Sequence, residues 1–152
     1  MGSKKIQLLI LTVSFGLIYF IYQLPTSVIE NKTSKEEIQK AVSVDQALSL
    51  IEGPNPMEGV FMLRNILENN PENTEALYYL GVLSNQTGQY QNALERFNQL
   101  IAIDSSDKRA YLQLGISNYN LGNKKKADSL FNIIRKSKEE LLVKELDDFL
   151  NN

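Results

Sequence analysis

Cysteine and histidine are both absent from this sequence of 152 residues. Without cysteine the chain forms no disulfide and no thiolate metal site. Without histidine it lacks the commonest general base and the commonest transition-metal ligand. The sequence also has no glycine-rich phosphate loop and no regular calcium-binding loop. We therefore expect a protein that is not an enzyme and that uses no metal and no other cofactor.

A large excess of charge of either sign is also absent. Lys and Arg number 16 and Asp and Glu number 18, for a net charge of −2, so we expect no nucleic-acid partner. The charges are nevertheless uneven along the chain. Residues 41–75 hold six acids and a single base, Arg64, whereas residues 108–144 hold nine bases and three acids. Such runs indicate solvated faces or, for the basic run, a surface for an acidic partner or anionic headgroups.

Charged residues are missing altogether from residues 6–24, which read IQLLILTVSFGLIYFIYQL. As a helix, these 19 residues would extend about 28 Å, close to the thickness of the hydrocarbon core of a bilayer. We predict a transmembrane anchor here, with a short tail at 1–5 and a polar linker at 25–36. A cleaved signal peptide is one alternative, but the apolar run is long and no small-x-small cleavage pattern follows it. A buried core helix is the other, but the remaining chain is too polar to enclose it.

The orientation of the predicted anchor follows from its flanking lysines. Lys4 and Lys5 precede the apolar run, which favours a cytoplasmic N-terminus under the positive-inside rule. Lys32, Lys35 and Lys40 on the other flank reduce the contrast. We expect a single-pass membrane protein whose remaining residues lie outside the cytoplasm, in a periplasm or an equivalent compartment.

After the linker, apolar residues recur with helical spacing. The dipeptides Asn55–Pro56 and Asn70–Pro71 each resemble an N-cap followed by proline in the first helical position. The pattern predicts helices near residues 35–52, 56–69, 72–87, 90–103, 107–121, 124–136 and 138–150.

Two stretches share five residues (Leu, Gly, Gly, Ala and Phe) at a constant offset of 34: LGVLSNQTGQYQNALERF at 80–97 and LGISNYNLGNKKKADSLF at 114–131. Their second glycines, Gly88 and Gly122, are predicted to end helices in the left-handed conformation. The first glycines fall inside helices, where glycine costs about 0.5–1 kcal/mol relative to alanine, so we expect two helices to approach closely there. The residues predicted to pack at these approaches are Leu80, Gly81, Ala93, Phe97, Leu114, Gly115, Ala127 and Phe131.

The spacing of the two stretches is typical of tetratricopeptide repeats, which are helix pairs with a period of about 34 residues, and this sequence resembles that family. The segments that match the family's motif are LYYLG and ALERF in one repeat and YLQLG and ADSLF in the next. Ser84 and Asn118 stand where the family has a tyrosine, and Leu77 and Tyr111 replace its tryptophan.

The resemblance implies an all-α fold, in which helical hairpins stack as a short right-handed solenoid, and the anchor predicted above adds an N-terminal transmembrane helix. We place repeats at 74–107 and 108–141, and a capping helix at 138–150. A degenerate first pair covers 37–73, where Gly59 and Leu63 take the positions of the motif's Ala and Phe.

The resemblance also implies a protein or peptide partner, held on a concave face lined by the first helix of each repeat. The lysine and asparagine with which chaperone-binding members hold a peptide carboxylate are replaced here by apolar residues, so we expect a different ligand. The side chains on the concave face either form an open groove for an amphipathic segment or pack within the short stack. The predicted groove consists of Tyr78, Val82, Asn85, Gln86, Arg109, Leu112, Ile116, Tyr119 and Asn120, with Val44 and Leu48 in the first pair.

These features together predict a membrane-anchored interaction scaffold, or an assembly or accessory chaperone factor, in a bacterial cell envelope. A structural protein that self-associates through its apolar face, as a homo-oligomer, is one alternative. An adaptor similar to an organelle import receptor, with its repeats facing the cytosol, is the other.

Overall fold

The computed structural model describes residues 43–151, and all of its regular secondary structure is helical. These residues form an α-solenoid built from helical pairs. The predicted anchor at 6–24, with its tail and linker, lies outside the described residues, and no helix within 43–151 is long and apolar enough to cross a bilayer. The helices are α1 (43–52 within the described range), α2 (Pro56–Asn69), α3 (Thr74–Gln86), α4 (Tyr90–Ile103), α5 (Lys108–Asn120), α6 (Lys124–Arg135) and α7 (Glu140–Asn151).

Two of the helices begin with matching caps at equivalent positions of successive repeats. Asn73 Oδ1 accepts a hydrogen bond from the Ala76 N–H at 3.0 Å, and Asp107 Oδ1 accepts one from the Arg109 N–H at 2.9 Å. Each cap satisfies one of the N–H groups that a helix N-terminus leaves unpaired. These caps explain why α3 and α5 start where they do.

The predicted helix start at Asn70 is wrong. Asn70 instead ends α2, because its N–H continues the helical pattern by donating to the Ile66 carbonyl at 2.8 Å. Pro71 then lies in the turn, and the buried Asn73 takes the capping role. The other dipeptide does begin a helix, since Pro56 is the first residue of α2, although the Asn55 side chain makes no capping hydrogen bond.

The predicted left-handed glycines are confirmed. Gly88 has a φ of 74° and Gly122 a φ of 79°, and each follows the end of the first helix of a pair. Side chains other than glycine rarely adopt this conformation, so glycine lets the chain reverse direction after α3 and α5.

The same two turns account for the residues that replace the family's tyrosine. The carbonyls of Ser84 and Asn118 accept hydrogen bonds from the N–H groups of Gln89 and Asn123, both at 2.8 Å, which close the helix ends. Their side chains bond back one turn, Ser84 Oγ to the Leu80 carbonyl and Asn118 Nδ2 to the Leu114 carbonyl. Both polar side chains are thus satisfied at the position of the family's tyrosine, where Asn118 is buried and Ser84 half-buried.

The mid-helix glycines make room for a phenyl ring from the next helix. A Cβ atom on Gly81 would lie 2.6 Å from Phe97 Cζ, and one on Gly115 would lie 2.5 Å from Phe131 Cε1. Both distances are far below van der Waals contact, so only glycine fits. All eight residues predicted to pack at the close approaches lie in the interior: Leu80, Gly81, Ala93, Phe97, Leu114, Gly115, Ala127 and Phe131.

The first pair, α1 and α2, makes the same approach with the small residue on the opposite helix. Ala47 stands at the position of Gly81, and Leu63 at the position of Phe97, and both are fully buried. Gly59 is the small residue here, since a Cβ on it would meet the Ala47 carbonyl oxygen and lie 2.7 Å from Ile51 Cγ1. In the first pair, leucine packs against alanine. In the next two pairs, the larger phenylalanine packs against glycine.

The last helix, α7, covers the end of the stack. Leu142 and Leu146 are buried in a cluster with Leu112 and Phe131. Leu141, on the other side of the helix, is 83% exposed. One apolar side of α7 thus completes the core of the preceding pair, as a terminal capping element must.

We predict that Gly81→Ala destabilises the protein by about 1–3 kcal/mol, although alanine is the better helix former, because the new methyl group overlaps the ring of Phe97. Adding Phe97→Leu creates the Ala–Leu combination of the first pair and should restore part of the loss. Urea unfolding of the two single variants and the double variant measures this coupling.

Additive effects of the two substitutions would contradict this account of the glycine. Gly88→Ala is the control, because it strains a positive φ but meets no atom within 4 Å. Its destabilisation should not change when Phe97→Leu is added.

Candidate functional site

The first helices of two successive pairs, α3 and α5, and the capping helix α7 lie side by side and are joined by polar side chains. We call the side of these helices that carries Tyr78, Asn85, Arg109, Gln113 and Glu145 the A-face. Asn85 comes from α3, Gln113 from α5 and Glu145 from α7, and hydrogen bonds join all three. The A-face contains most of the predicted groove residues, so its geometry decides what they do.

Gln113 is the centre of this hydrogen-bond network. Asn85 Nδ2 donates to both the backbone carbonyl and the Oε1 of Gln113, each at 3.1 Å. Gln113 Nε2 donates in turn to Glu145 Oε1 at 2.9 Å. Ser117 Oγ donates to Asn85 Oδ1 at 2.8 Å, so that both ends of the Asn85 amide are engaged. The network fixes the positions of the three helices relative to one another. The Asn85 side chain therefore has a structural role, although it was predicted as a groove residue.

Arg109 is tied to two carboxylates. Its Nη2 lies 2.8 Å from Glu75 Oε1 on α3 and 2.7 Å from Asp107 Oδ2 at the start of its own helix. Hydrogen bonds to Asp107 and then to Glu75 raise the pKa of Arg109 still further above its ordinary range. Two acids already compensate this cation, so it is poorly suited to hold a ligand's carboxylate.

The guanidinium of Arg109 also covers the ring of Tyr78, with its central carbon 4.6 Å from the ring centroid. The half-buried Tyr78 ring meets Phe97 edge-on at a centroid distance of 6.2 Å. Burial, and then the charge of Glu145, raise the pKa of the Tyr78 phenol to about 12. The phenol therefore stays protonated and can donate a hydrogen bond at any physiological pH.

Leu112 does not line an open surface, because it is fully buried beneath α7 in the cluster with Leu142 and Leu146. The capping helix closes over this position, whereas the corresponding Tyr78 of the preceding repeat stays half-buried. In the first pair, Val44 is buried as well, and Leu48 is half-buried.

The remaining predicted groove residues are accessible to different degrees. Val82 and Ile116 are half-buried, and Gln86 and Asn120 are at the more accessible end of their helices. Tyr119 is 41% exposed, and its ring meets that of Phe149 on α7 edge-on at 5.4 Å. Tyr78, Val82, Ile116 and Tyr119 thus offer aromatic and apolar surface, while the polar residues mainly join the helices to one another.

Four residues of this surface were missed from the sequence: Glu75, Gln113, Ser117 and Glu145. Glu75 and Arg109 occupy equivalent positions of successive repeats, so their opposite charges were a readable signal for the ion pair. Gln113 and Ser117 carry no such signal, because a polar residue beside the Leu-Gly pair reads as an exposed position. Glu145 lies beyond the second motif, where no repeat pattern predicts its partner.

Comparison with protein families agrees with this geometry. Family models described as tetratricopeptide repeat match residues 62–95 and 109–137, and one described as TPR repeat matches residues 83–122. The chain contains tetratricopeptide repeats. Together, the matches extend from residue 62 in α2 to residue 137, two residues beyond the end of α6. No curated protein matches the chain. Tetratricopeptide repeats are typically non-catalytic modules that bind protein or peptide partners.

The central role of Gln113 within the repeats can be tested by substitution. We expect Gln113→Ala to reduce the free energy of unfolding by about 1–2 kcal/mol, because Asn85 and Glu145 each lose a partner. Urea denaturation measures the loss, and hydrogen exchange should quicken most at the amides of α7. Gln99→Ala, at an exposed position on α4, is the control and should change stability by less than about 0.5 kcal/mol. Equal effects of the two substitutions would contradict the network.

The raised pKa of the Tyr78 phenol predicts that the free energy of unfolding changes with pH in the alkaline range. The raised pKa means that the folded state favours the protonated phenol, so this contribution is intact below pH 10 and is lost as the pH rises toward about 12. Tyr78→Phe cannot ionise and should lose less stability than the native protein over this window. Urea unfolding at a series of pH values compares the two slopes, and identical slopes would contradict the assignment.

Proposed function

We propose that the protein is a membrane-anchored interaction module whose A-face binds a segment of a protein partner close to the membrane. One observation carries the proposal: the A-face presents half-buried and exposed aromatic and aliphatic side chains from neighbouring repeats. Tyr78, Val82, Ile116 and Tyr119 provide this surface. Tetratricopeptide repeats support a protein or peptide as the ligand.

The hydrogen-bond network supports the same proposal because it holds the surface in place before a partner arrives. Asn85, Gln113 and Glu145 join the three helices, and Arg109 lies over the Tyr78 ring. A rigid aromatic surface loses little conformational entropy on binding, so more of the contact energy appears as affinity. Aromatic residues surrounded by satisfied polar groups are also the usual centres of binding energy at protein interfaces.

The anchor part of the proposal rests on the sequence of residues 6–24, which is long and apolar enough to span a bilayer. Tethering would confine the repeats to one membrane face and raise their effective concentration for a membrane-bound partner. With the N-terminus in the cytoplasm, the repeats would face the envelope of a bacterial cell. There the protein would act as a scaffold or assembly factor, or as an accessory chaperone for exported clients.

Photo-crosslinking in cells that produce the full chain tests the A-face. A photoreactive amino acid at Tyr119, which is exposed beside the half-buried Ile116, should give an adduct with another protein. The same group at Ser129, exposed on the second helix of its pair, is the control and should not give that adduct. Identical adducts at both positions, or none at Tyr119 in folded protein, would reject the A-face as the partner site. An adduct with a second copy of the chain would favour self-association.

A second arm of this experiment tests the anchor. Val13→Arg with Leu17→Arg places two charges in the apolar run, each of which costs about 2.5–3.5 kcal/mol at the centre of a transmembrane helix. We expect the double variant to leave the membrane fraction and to lose the Tyr119 adduct. An unchanged distribution between fractions would reject membrane anchoring through these residues.

A further inference from the structure

A second surface lies between the second helices of neighbouring pairs, α2 and α4, and is separate from the A-face. A pocket of about 270 Å³ opens there, with α2 and α4 as its walls and the end of α3 as its floor. We call it the B-crevice. Met57 and Val60 on α2 and Leu83 on α3 provide apolar surface, and Arg64 and Arg96 provide the charge.

The charge of the B-crevice is unusual for this part of the chain. Residues 41–107 contain only two basic residues, Arg64 and Arg96, and both line this one pocket. None of the lining residues within 43–151 is acidic. The same stretch is otherwise rich in acids, so the positive charge of the B-crevice contrasts with the charge of the rest of residues 41–107.

The repeat geometry explains how two distant arginines meet. Leu63 and Phe97 occupy equivalent buried positions on α2 and α4. Arg64 directly follows one of these residues, and Arg96 directly precedes the other. Successive residues lie about 100° apart around a helix, so the two arginines project to opposite sides of equivalent helices and therefore toward the same intervening crevice.

Neither arginine has an acidic partner among residues 43–151, in contrast to Arg109 with its two carboxylates. The central carbon of the Arg64 guanidinium lies 5.9 Å from the centroid of the Phe61 ring. Burial, and then the positive charge of Arg64, lower the pKa of the Arg96 guanidinium, while Glu95 opposes this more weakly. The two cations therefore disfavour each other, and an anion between them would relieve the repulsion.

We propose that the B-crevice binds an acidic peptide segment, with a carboxylate between Arg64 and Arg96 and a neighbouring apolar side chain against Met57 and Val60. The volume lies just below the roughly 300–1,000 Å³ of small-molecule sites, so it suits a pair of side chains rather than a larger ligand. Arginine forms directional, bidentate hydrogen bonds with carboxylates, which gives such a site selectivity for the acid.

The surroundings of the crevice favour a peptide over a membrane surface. Recognition of anionic bilayers commonly uses clusters of four to eight bases, whereas this stretch has two among many acids. Met57 and Phe61, each 59% exposed, extend the apolar rim beside Arg64. A carboxylate flanked by apolar side chains complements this arrangement. The site goes beyond the proposed function, since it would give the repeats a second partner surface, and its test does not depend on the A-face.

Arginine side-chain NMR offers a direct test, because the chain has only four arginines: Arg64, Arg96, Arg109 and Arg135. The full chain, labelled with ¹⁵N in neutral detergent micelles, is titrated with the capped dipeptide acetyl-Leu-Glu-amide, and separately with acetyl-Leu-Gln-amide. We expect the Nε–Hε signals of Arg64 and Arg96 to shift with the glutamate peptide and not with the glutamine peptide. Exposed Arg135 serves as the internal control and should not respond.

Variants then show whether the response comes from the crevice. Arg64→Gln with Arg96→Gln should weaken binding by about tenfold or more, and Arg135→Gln should leave it unchanged. Circular dichroism checks that both variants stay folded.

Three results would overturn the proposal. The first is an equal shift of Arg135, which indicates ionic association without a site. The second is the absence of any shift up to the solubility limit of the peptide. The third is a change in the Arg64 and Arg96 signals on dilution without peptide, which would assign the crevice to a second copy of the chain.

Discussion

The packing of one phenyl ring into a space left by glycine is the contact on which the rest of this structure depends. Phe97 fills the space above Gly81, and Phe131 fills the space above Gly115. Because the ring meets the helix where a Cβ would be, it sets how closely the two helices of each pair approach. Neighbouring pairs then stack at a repeated spacing, which is why α3, α5 and α7 come near enough for short side chains to bridge them. Protein interiors transmit such constraints because they are packed nearly as densely as crystals.

Most polar side chains of the A-face bond to one another across the helices. The side chains that remain available to a partner are therefore mainly apolar. Asn85 and Gln113 bond to each other, and Arg109 bonds to two carboxylates. The surface left over is aromatic and aliphatic, with Tyr78 and Tyr119 as its largest members. Arg64 and Arg96 show the opposite case, since neither forms an ion pair within residues 43–151, and both are therefore left for the proposed anion. Partner chemistry therefore follows from which side chains the fold has already satisfied.

The repeat period made the helix pairs, their buried rings and the left-handed Gly88 and Gly122 predictable, because each depends on residues close in sequence or one period apart. Three features were not predictable in this way. Asn70 resembled an N-cap, yet competition with Asn73 three residues later decides the helix start. Leu112 resembled a groove residue, but α7 covers it, and that coverage depends on tertiary packing beyond the last motif. The pocket between Arg64 and Arg96 depends on two helices whose basic residues occupy different positions in the repeat.

The two surfaces differ in how they relate to stability. Tyr78, Val82 and Ile116 pack against the core clusters while part of their surface stays exposed, so substitutions there should affect folding together with the proposed binding. A short stack has little apolar area to spare, and it must use such residues for both purposes. The crevice arginines contribute no ion pair to the described fold, and they repel each other. Their removal should therefore cost the fold little or even stabilise it, and their presence in one pocket is better explained by a negatively charged ligand than by folding.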